Sequence, residues 1–593
     1  MQNSSWLRPA LLALLMLSIV GCGAQAPTAV QPSPQSSAAA TSETATASTS
    51  ETASASSAAP AAAASATPLS ASAAPASPAP LAAGWWDDAV CYEIFVRSFR
   101  DSNGDGIGDL NGLIEKLDYI NDGKPDQQRD LGATCIWLMP IAQATSYHGY
   151  DTTDYYTVNR DYGTNDDFKR LVAEAHKRGI NVIVDLVLNH TSSEHPWFQS
   201  ALNDPSSPYR DWFIWSPTDP GYRGPWGDVA WHKSPVRDEY YYGVFFSGMP
   251  DLNYRNPAVT AEARKISAFW LNDLGADGFR LDAIKHLIEA GTVQEDTPET
   301  HAWLRDYRTF LQQTKPQAFT IGEIFDASAV TLKPYYPDQL DTYFQFDIGA
   351  KLITAAATGQ ARQFVGAVRV ADSALPFQRW APFLTNHDQD RVMSVLGDDV
   401  AKAKLAATAL LTLPGLPFLY YGEEIGMLGV KPDEQIRTPM QWAGDAGGGF
   451  TAGQPWEPFQ PNVAAVNVAA QDGAADSLLS LYRQLIHLHA AQPALGHGSF
   501  TALSSSDNKA AAFLRQSEDE AVLVVINFGK DALADVQLTL DAGALAAGEY
   551  QLQPLLGAQA AAPLTVGEGG AIAGYTPLAV LAPQTGYIFK LSQ

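Results

Sequence analysis

The sequence predicts an α/β chain: a barrel of eight parallel strands alternating with helices, an insertion after the third strand, and a C-terminal antiparallel β-sandwich. Three observations carry that reading. Short apolar runs alternate with amphipathic stretches from residue 84 to about residue 494, as in a βα architecture. Four of those runs lead into an acid: NVIVDLVLNH (181–190), DGFRLDAIKH (277–286), FTIGEIF (319–325) and FLTNHD (383–388). After residue 495 the pattern changes to short alternating segments such as EAVLVVINFG (520–529) and TGYIFKLSQ (585–593), which read as antiparallel strands.

Taken in order, residues 1–21 read as a signal segment with Arg8 as a thin basic region and an apolar stretch at 11–20, too short to span a bilayer. Ile19-Val20-Gly21-Cys22 resembles a bacterial lipobox, which implies cleavage before Cys22 and lipidation of its thiol. After Cys22, residues 23–83 are nearly pure Ala, Ser, Thr and Pro with no aromatic and only Glu43 and Glu51 charged, so the segment 22–83 cannot bury enough surface to fold. They read as a disordered spacer, on the order of 40–50 Å long as a coil. The expectation is an exported protein, lipid-anchored to the cell envelope and touching the membrane only through that anchor.

The barrel is expected over 84–190 and 251–494, with strands at 89–96, 134–140, 181–188, 277–282, 319–324, 342–348, 381–385 and 416–421. Apolar residues at helical spacing mark helices at 165–178 and 257–274. Residues 191–250 form an inserted domain holding five of the 14 Trp: Trp197, Trp212, Trp215, Trp226 and Trp231. Most of these should form its core, with one or two facing a cleft. The sandwich follows over 495–593. Cys91 and Cys135, in the first two strands, read as buried thiols, with a disulfide between neighbouring strands the alternative.

A net charge of −26 excludes nucleic acid and anionic membrane surfaces as partners, since both require a basic face. A neutral polymer meets no such repulsion. A monomer is the expected state. In a parallel barrel the C-terminal strand ends share one mouth, so Asp185, Asp282, Glu323 and Asp388 should converge. An acid after a strand often only caps the next helix. Four of them with His and Arg neighbours favour a common cleft, and paired carboxylates are what cleavage of a glycosidic bond requires.

These segments resemble the α-amylase family, glycoside hydrolase family 13, from about residue 84 to the end. Asp185-Leu-Val-Leu-Asn189-His190, Gly278-Phe279-Arg280-Leu281-Asp282-Ala283-Ile284-Lys285-His286, Gly322-Glu323 and Thr385-Asn386-His387-Asp388 look like its first four regions, in order. Met249-Pro250-Asp251-Leu252-Asn253 resembles the fifth. The resemblance implies Asp282 as nucleophile, Glu323 as general acid and base, and Asp388 as stabiliser of the oxocarbenium-like transition state. Arg280 would hold Asp282 ionised. Asp185, His190 and His387 would serve the sugar at the cleavage point, and Tyr150, in Tyr147-His148-Gly149-Tyr150-Asp151, would stack on it. Lys285 and His286 would contact sugars on the leaving side.

The loop Asp101-Ser-Asn103-Gly-Asp105-Gly-Ile107-Gly-Asp109 sets oxygen ligands at alternate positions, as a hard cation prefers. It begins like an EF-hand loop but has Gly112 where the bidentate Glu would stand. The resemblance implies a structural Ca2+ held by Asp101, Asn103, Asp105, Ile107 and Asp109. Lys285-His286 and Ala283 resemble true α-amylases acting on α-1,4 bonds. Met249–Asn253 and Arg437-Thr438-Pro439-Met440-Gln441-Trp442 resemble the oligo-1,6-glucosidase and neopullulanase groups, so the chain reads as an intermediate. The expected activity is endo-hydrolysis of α-1,4 bonds in starch, glycogen and maltooligosaccharides. An α-glucosidase, neopullulanase-like enzyme or glucanotransferase is the alternative. A glucan-binding protein without catalysis would have lost Asp282 or Glu323.

Overall fold

The computed structural model describes residues 84–593 apart from positions 126, 326 and 558; the signal segment, Cys22 and the spacer to residue 83 lie outside the described residues. Seven strands build one parallel sheet: β1 (Cys91–Ile94), β2 (Cys135–Leu138), β3 (Asn181–Leu186), β4 (Gly278–Leu281), β5 (Phe319–Gly322), β6 (Thr342–Tyr343) and β7 (Phe418–Tyr420). Their spatial order is β6-β5-β4-β3-β2-β1-β7. Residues 381–385 close the ring between β6 and β7, through the parallel bridges Phe344 to Ala381 and Phe383 to Phe418. This eighth member is thinner than the sequence suggests because Pro382 has no N–H for the ladder; its carbonyl still accepts from Phe418 N at 2.9 Å.

The barrel strands are buried on both faces, which is why they read as unbroken apolar runs. Cys91, Cys135, Trp137, Ile183, Phe319 and Ile321 point into the barrel and form one cluster with Phe344, Phe383 and Phe418. Their neighbours Tyr92, Ile136, Val182 and Val184 pack outward with the helices. A period of two therefore carries Glu93, Asp185 and Glu323 onto the inward face, two residues beyond Cys91, Ile183 and Ile321.

The helix predicted at 165–178 spans Asn165–His176, where Thr164 and Asp167 form a capping box and Phe168, Leu171, Val172 and Ala175 are buried. The helix at 257 starts on Asn256 as cap and Pro257 in its first turn.

Cys91 and Cys135 are not separate thiols. They form a disulfide. They are register partners across β1 and β2 on the same inward face, with Cα atoms 4.3 Å apart, so burial brings them together. Removing the bridge with Cys91→Ala/Cys135→Ala frees a loop spanning 44 positions in the unfolded chain. Urea unfolding is expected to show a stability loss of about 2–4 kcal/mol.

Within the insertion, the helix Pro196–Asn203 and a three-stranded sheet of Trp215–Ser216, Tyr240–Tyr242 and Trp231–Lys233 surround the aromatic residues. Trp197, Trp212 and Trp215 pack against the main core and Trp231 is buried in a small local one, whereas Trp226 is 47% exposed. A bridge between His190 and Asp251 ties the two ends of the insertion together.

In the C-terminal region an eight-stranded antiparallel sheet runs from Ser499 to Ser592. Its central strand Ala521–Asn527 is buried throughout. Leu523 and Val525 face a core internal to this region, while Val522, Val524 and Ile526 join the barrel core. The sheet is covered on both sides, with the barrel supplying one cover.

Candidate active site

Arg280, on β4 and 1% exposed, is the centre of the site. Its Nη1 donates to Asp185 Oδ1 at 2.9 Å and to Asp282 Oδ1 at 2.7 Å, and its Nη2 lies 2.7 Å from Glu323 Oε2. Three neighbouring strands thus bring three carboxylates onto one cation. Packing is close at the residue preceding Glu323: a Cβ at Gly322 would lie 2.6 Å from Ile284 Cδ1 and 2.7 Å from Leu340 Cδ1, so those side chains would have to shift.

Opposite this group stands Asp388. His387 Nε2 is 3.2 Å from its Oδ2, and Arg437 Nη2 donates to its Oδ1 at 2.8 Å. Tyr150 joins the two halves: its hydroxyl is 3.0 Å from Asp185 Oδ2 and 2.6 Å from His387 Nε2, and its ring stacks on His387. His190 Nε2–H donates to the Tyr150 carbonyl at 3.1 Å.

Burial separates the charge states. It pushes Glu323 up to about 7, with Asp282 and Asp388 adding to the rise and Arg280 opposing it. Burial raises Asp185 to about 7 in the same way, again against Arg280. Burial works against a charged His387, yet the carboxylates of Asp388 and Glu93 hold it up to about 10. Asp388 is raised by burial but held well below the usual carboxylate range by His387 and Arg437. Burial keeps His190 and His286 neutral.

A cavity of about 520 Å3 opens over these groups, lined by Tyr150, His190, Asp282, Lys285, His286, Glu323 and Asp388. Lys285 pairs with Glu295 at 2.8 Å, and His286 Nδ1–H donates to the Gln294 carbonyl at 2.9 Å. Ala283 turns the chain after Asp282 with φ 50°, a left-handed conformation rare for a residue with a Cβ. Asp185 and Arg280 are not among the lining residues; they bond to groups that are, Asp185 accepting from Tyr150 and Arg280 meeting Asp282 and Glu323.

Trp226 is the insertion tryptophan that faces the cavity, as one or two of the five were expected to do. Several lining groups escaped the sequence reading: Phe245 and Phe246 from the insertion, and Lys431, Asp433 and Arg437 from the segment after β7. Arg437 stands in a segment singled out above, but nothing local links it to Asp388, 49 positions away. Glu93 was also missed, although its place two residues after Cys91 puts it on the inward face.

The loop 101–109 lies apart from this cavity. Asp101, buried, accepts from the amides of Asn103, Gly104 and Gly106 and from the Thr451 hydroxyl; despite burial, these donors lower its pKa. Asn103 and Asp105 accept from the amides two residues on. Asp109 caps the helix Leu110–Glu115 through Gly112 N. The donors are all hard oxygens on a loop turned by Gly104 and Gly106, both at positive φ, and such a set suits a hard cation. Among the described residues, no three His, Cys, Asp or Glu side chains converge as a metal cluster.

Comparison with known proteins gives this geometry a family. The family model described as alpha amylase, catalytic domain, matches residues 93–498. Alpha-amylase 3 of Dictyoglomus thermophilum is 39% identical over 459 residues, covering 75% of this chain and 86% of that relative. The trehalose synthase/amylase TreS of Mycolicibacterium smegmatis is 34% identical over 519 residues, covering 77% and 86%. The crystal structure of the alpha-amylase from H. orenii is 40% identical with a TM-score of 0.74, covering 85% of this chain and 100% of that one. With a barrel that gathers the carboxylates at its C-terminal mouth and a family match across most of the described residues, the chain belongs to the alpha-amylase family of glycoside hydrolases.

Proposed function

We propose that this protein is an α-amylase that hydrolyses internal α-1,4-glucosidic bonds of starch, glycogen and maltooligosaccharides with net retention. The observation that carries the reading is the contact of one buried guanidinium, Arg280, with Asp282 and Glu323 together, opposite Asp388. Arg280 Nη1, bonded to Asp282 Oδ1 at 2.7 Å, holds that carboxyl in place for attack on the anomeric carbon. Glu323, raised by burial to about 7, carries the proton that the departing glycosidic oxygen needs. Once that proton is given, the Glu323 carboxylate takes one from water, which then opens the glycosyl ester on Asp282. Asp388, held anionic by His387 and Arg437, faces the positive charge that develops on the sugar ring.

Because the acid form of Glu323 starts the reaction, the competent fraction falls as pH rises through about 7. The expected profile of kcat/KM has an alkaline limb near that value. A flat profile to pH 9 would remove Glu323 as the acid.

Lys285 and His286 on the cavity wall, and Ala283 after the nucleophile, support α-1,4 endo action. One observation favours a second reading, exo-hydrolysis or transfer. Lys431, Asp433 and Arg437 line the same cavity, with Arg437 bridging Asp388 and Asp433, which sets charged groups about the Asp388 side of the bound sugar. A time course on maltoheptaose, starch and pullulan separates the two. Mixed-length maltooligosaccharides appearing early from starch support endo action. Glucose alone, panose, or products longer than the substrate assign the second reading.

Ca2+ is proposed for Asp101, Asn103, Asp105, Asp109 and the Ile107 carbonyl, where its charge would tie the loop to Thr451 through Asp101. Chelation is expected to lower the melting temperature and added Ca2+ to restore it, since saturation at about 100 times Kd contributes about 2.7 kcal/mol. Export and a lipid anchor at Cys22 are proposed from the sequence. The Cys91–Cys135 disulfide supports an oxidising compartment. Cys22→Ser should then move the protein from the membrane fraction to the soluble one.

A further inference from the structure

Glu93 lies outside every motif that defines the site, yet it touches it. It is 2% exposed, inside the barrel on β1, and its Oε1 accepts the Nδ1–H of His387 at 2.6 Å across 294 positions of sequence. His387 is wholly buried, with the Trp137 ring beside it, so its ring nitrogens have no solvent to turn to. A donor at Nδ1 directs Nε2 to the other side, where Tyr150 Oη stands at 2.6 Å and Asp388 Oδ2 at 3.2 Å. Tyr150 continues to Asp185, and Asp185 to Arg280. An unbroken run of hydrogen bonds therefore joins Glu93 to the guanidinium that holds Asp282 and Glu323.

We propose that Glu93 is a positioning residue for catalysis: its carboxylate fixes the orientation of His387 and keeps the imidazole a cation, so that Asp388 and Tyr150 are held in their working places. This rests on the glycosidase reading above. The charge argument follows from the surroundings. His387 sits between two carboxylates, Glu93 and Asp388, with Arg437 bonded to its carbonyl; Tyr420 and Glu423 are within electrostatic reach of Glu93, and Tyr150 links His387 to Asp185 and Arg280. Burial alone would make the ring neutral; the two carboxylates reverse that. With Glu93 neutralised, one of the two anions is gone, and the imidazole loses its proton at a lower pH. Asp388 then loses the neighbouring cation that offsets its burial.

The test compares the full-length chain with Glu93→Gln and Glu93→Ala. Glutamine keeps the size of the side chain and a carbonyl that accepts from Nδ1–H, and removes only the charge. Glu93→Gln is expected to lower kcat on any α-glucan the parent cleaves by about tenfold to a hundredfold, the range a lost charge-assisted hydrogen bond implies, with KM much less affected. The 15N spectrum of histidine-labelled protein reads the charge directly, with the His387 signal identified by its loss in His387→Asn. That signal should stay in the imidazolium range at pH 8 in the parent and move to the neutral range in Glu93→Gln. Parental kcat with an unmoved signal in Glu93→Gln would overturn the proposal. So would an activity loss that tracks a lowered melting temperature while the signal stays put. If the parent cleaves no α-glucan, the proposed function fails on its own, and the imidazole signal decides on Glu93 alone.

Discussion

Asp282→Asn is expected to lower kcat/KM on maltooligosaccharides by on the order of 10^4, with the fold retained. The loss follows from the geometry of Arg280. An amide at position 282 keeps the shape of the side chain but brings neither a charge for the guanidinium nor electrons for the anomeric carbon. Glu323→Ala should show a loss of similar order on the same substrate for a different reason, since the leaving oxygen must depart without a proton. The two differ on α-glucosyl fluoride. Fluoride leaves without protonation, so Glu323→Ala should still release it in a first turnover, whereas Asp282→Asn should not. Release by both variants, or by neither, would overturn the division of roles between these two acids.

Arg280→Leu should have the largest effect on stability. The guanidinium is 1% exposed and contacts Asp185, Asp282 and Glu323, so its removal leaves buried carboxylates without a counter-charge. Breaking such a cluster costs about 3–5 kcal/mol, measurable as a shift of the urea midpoint. The defect must depend on pH. Asp185 and Glu323 already titrate near 7 in the fold because of burial, and losing Arg280 raises them further. A carboxyl whose folded pKa lies above its unfolded value favours the folded state at low pH and loses that advantage as pH rises. The gap between Arg280→Leu and the parent should therefore narrow as pH falls from about 9 toward about 6, where both carboxyls are protonated in either protein. A gap that is constant with pH would mean that lost packing, not lost charge, sets it.

How much of this was legible differs from residue to residue. Asp185, Arg280, Asp282 and Glu323 were readable because each stands at the end of a strand whose apolar run announces itself. Parallel strands in a barrel all end at one mouth. Glu93 has the same inward parity, but an isolated acid in CYEI carries no neighbouring signal and looks like any strand residue. The disulfide was open for a related reason. Two cysteines in successive strands pair only if the register sets them opposite each other on the same face, and register is a property of the sheet. The insertion's tryptophans could be counted but not sorted; whether a ring is core or cleft wall depends on what packs behind it.

By itself the sequence determined the barrel, the strand ends that carry the acids, and the family. These rest on local periodicity and short motifs, which contacts between near neighbours enforce. The tertiary structure alone decided the partners: Glu93 on His387, Arg437 on Asp388, Cys91 on Cys135, and Trp226 at the cavity rim. Such pairs lie tens to hundreds of positions apart. They meet only when the ring of strands closes and the segments beyond it fold back over the mouth, where burial turns their proximity into shifted charge states.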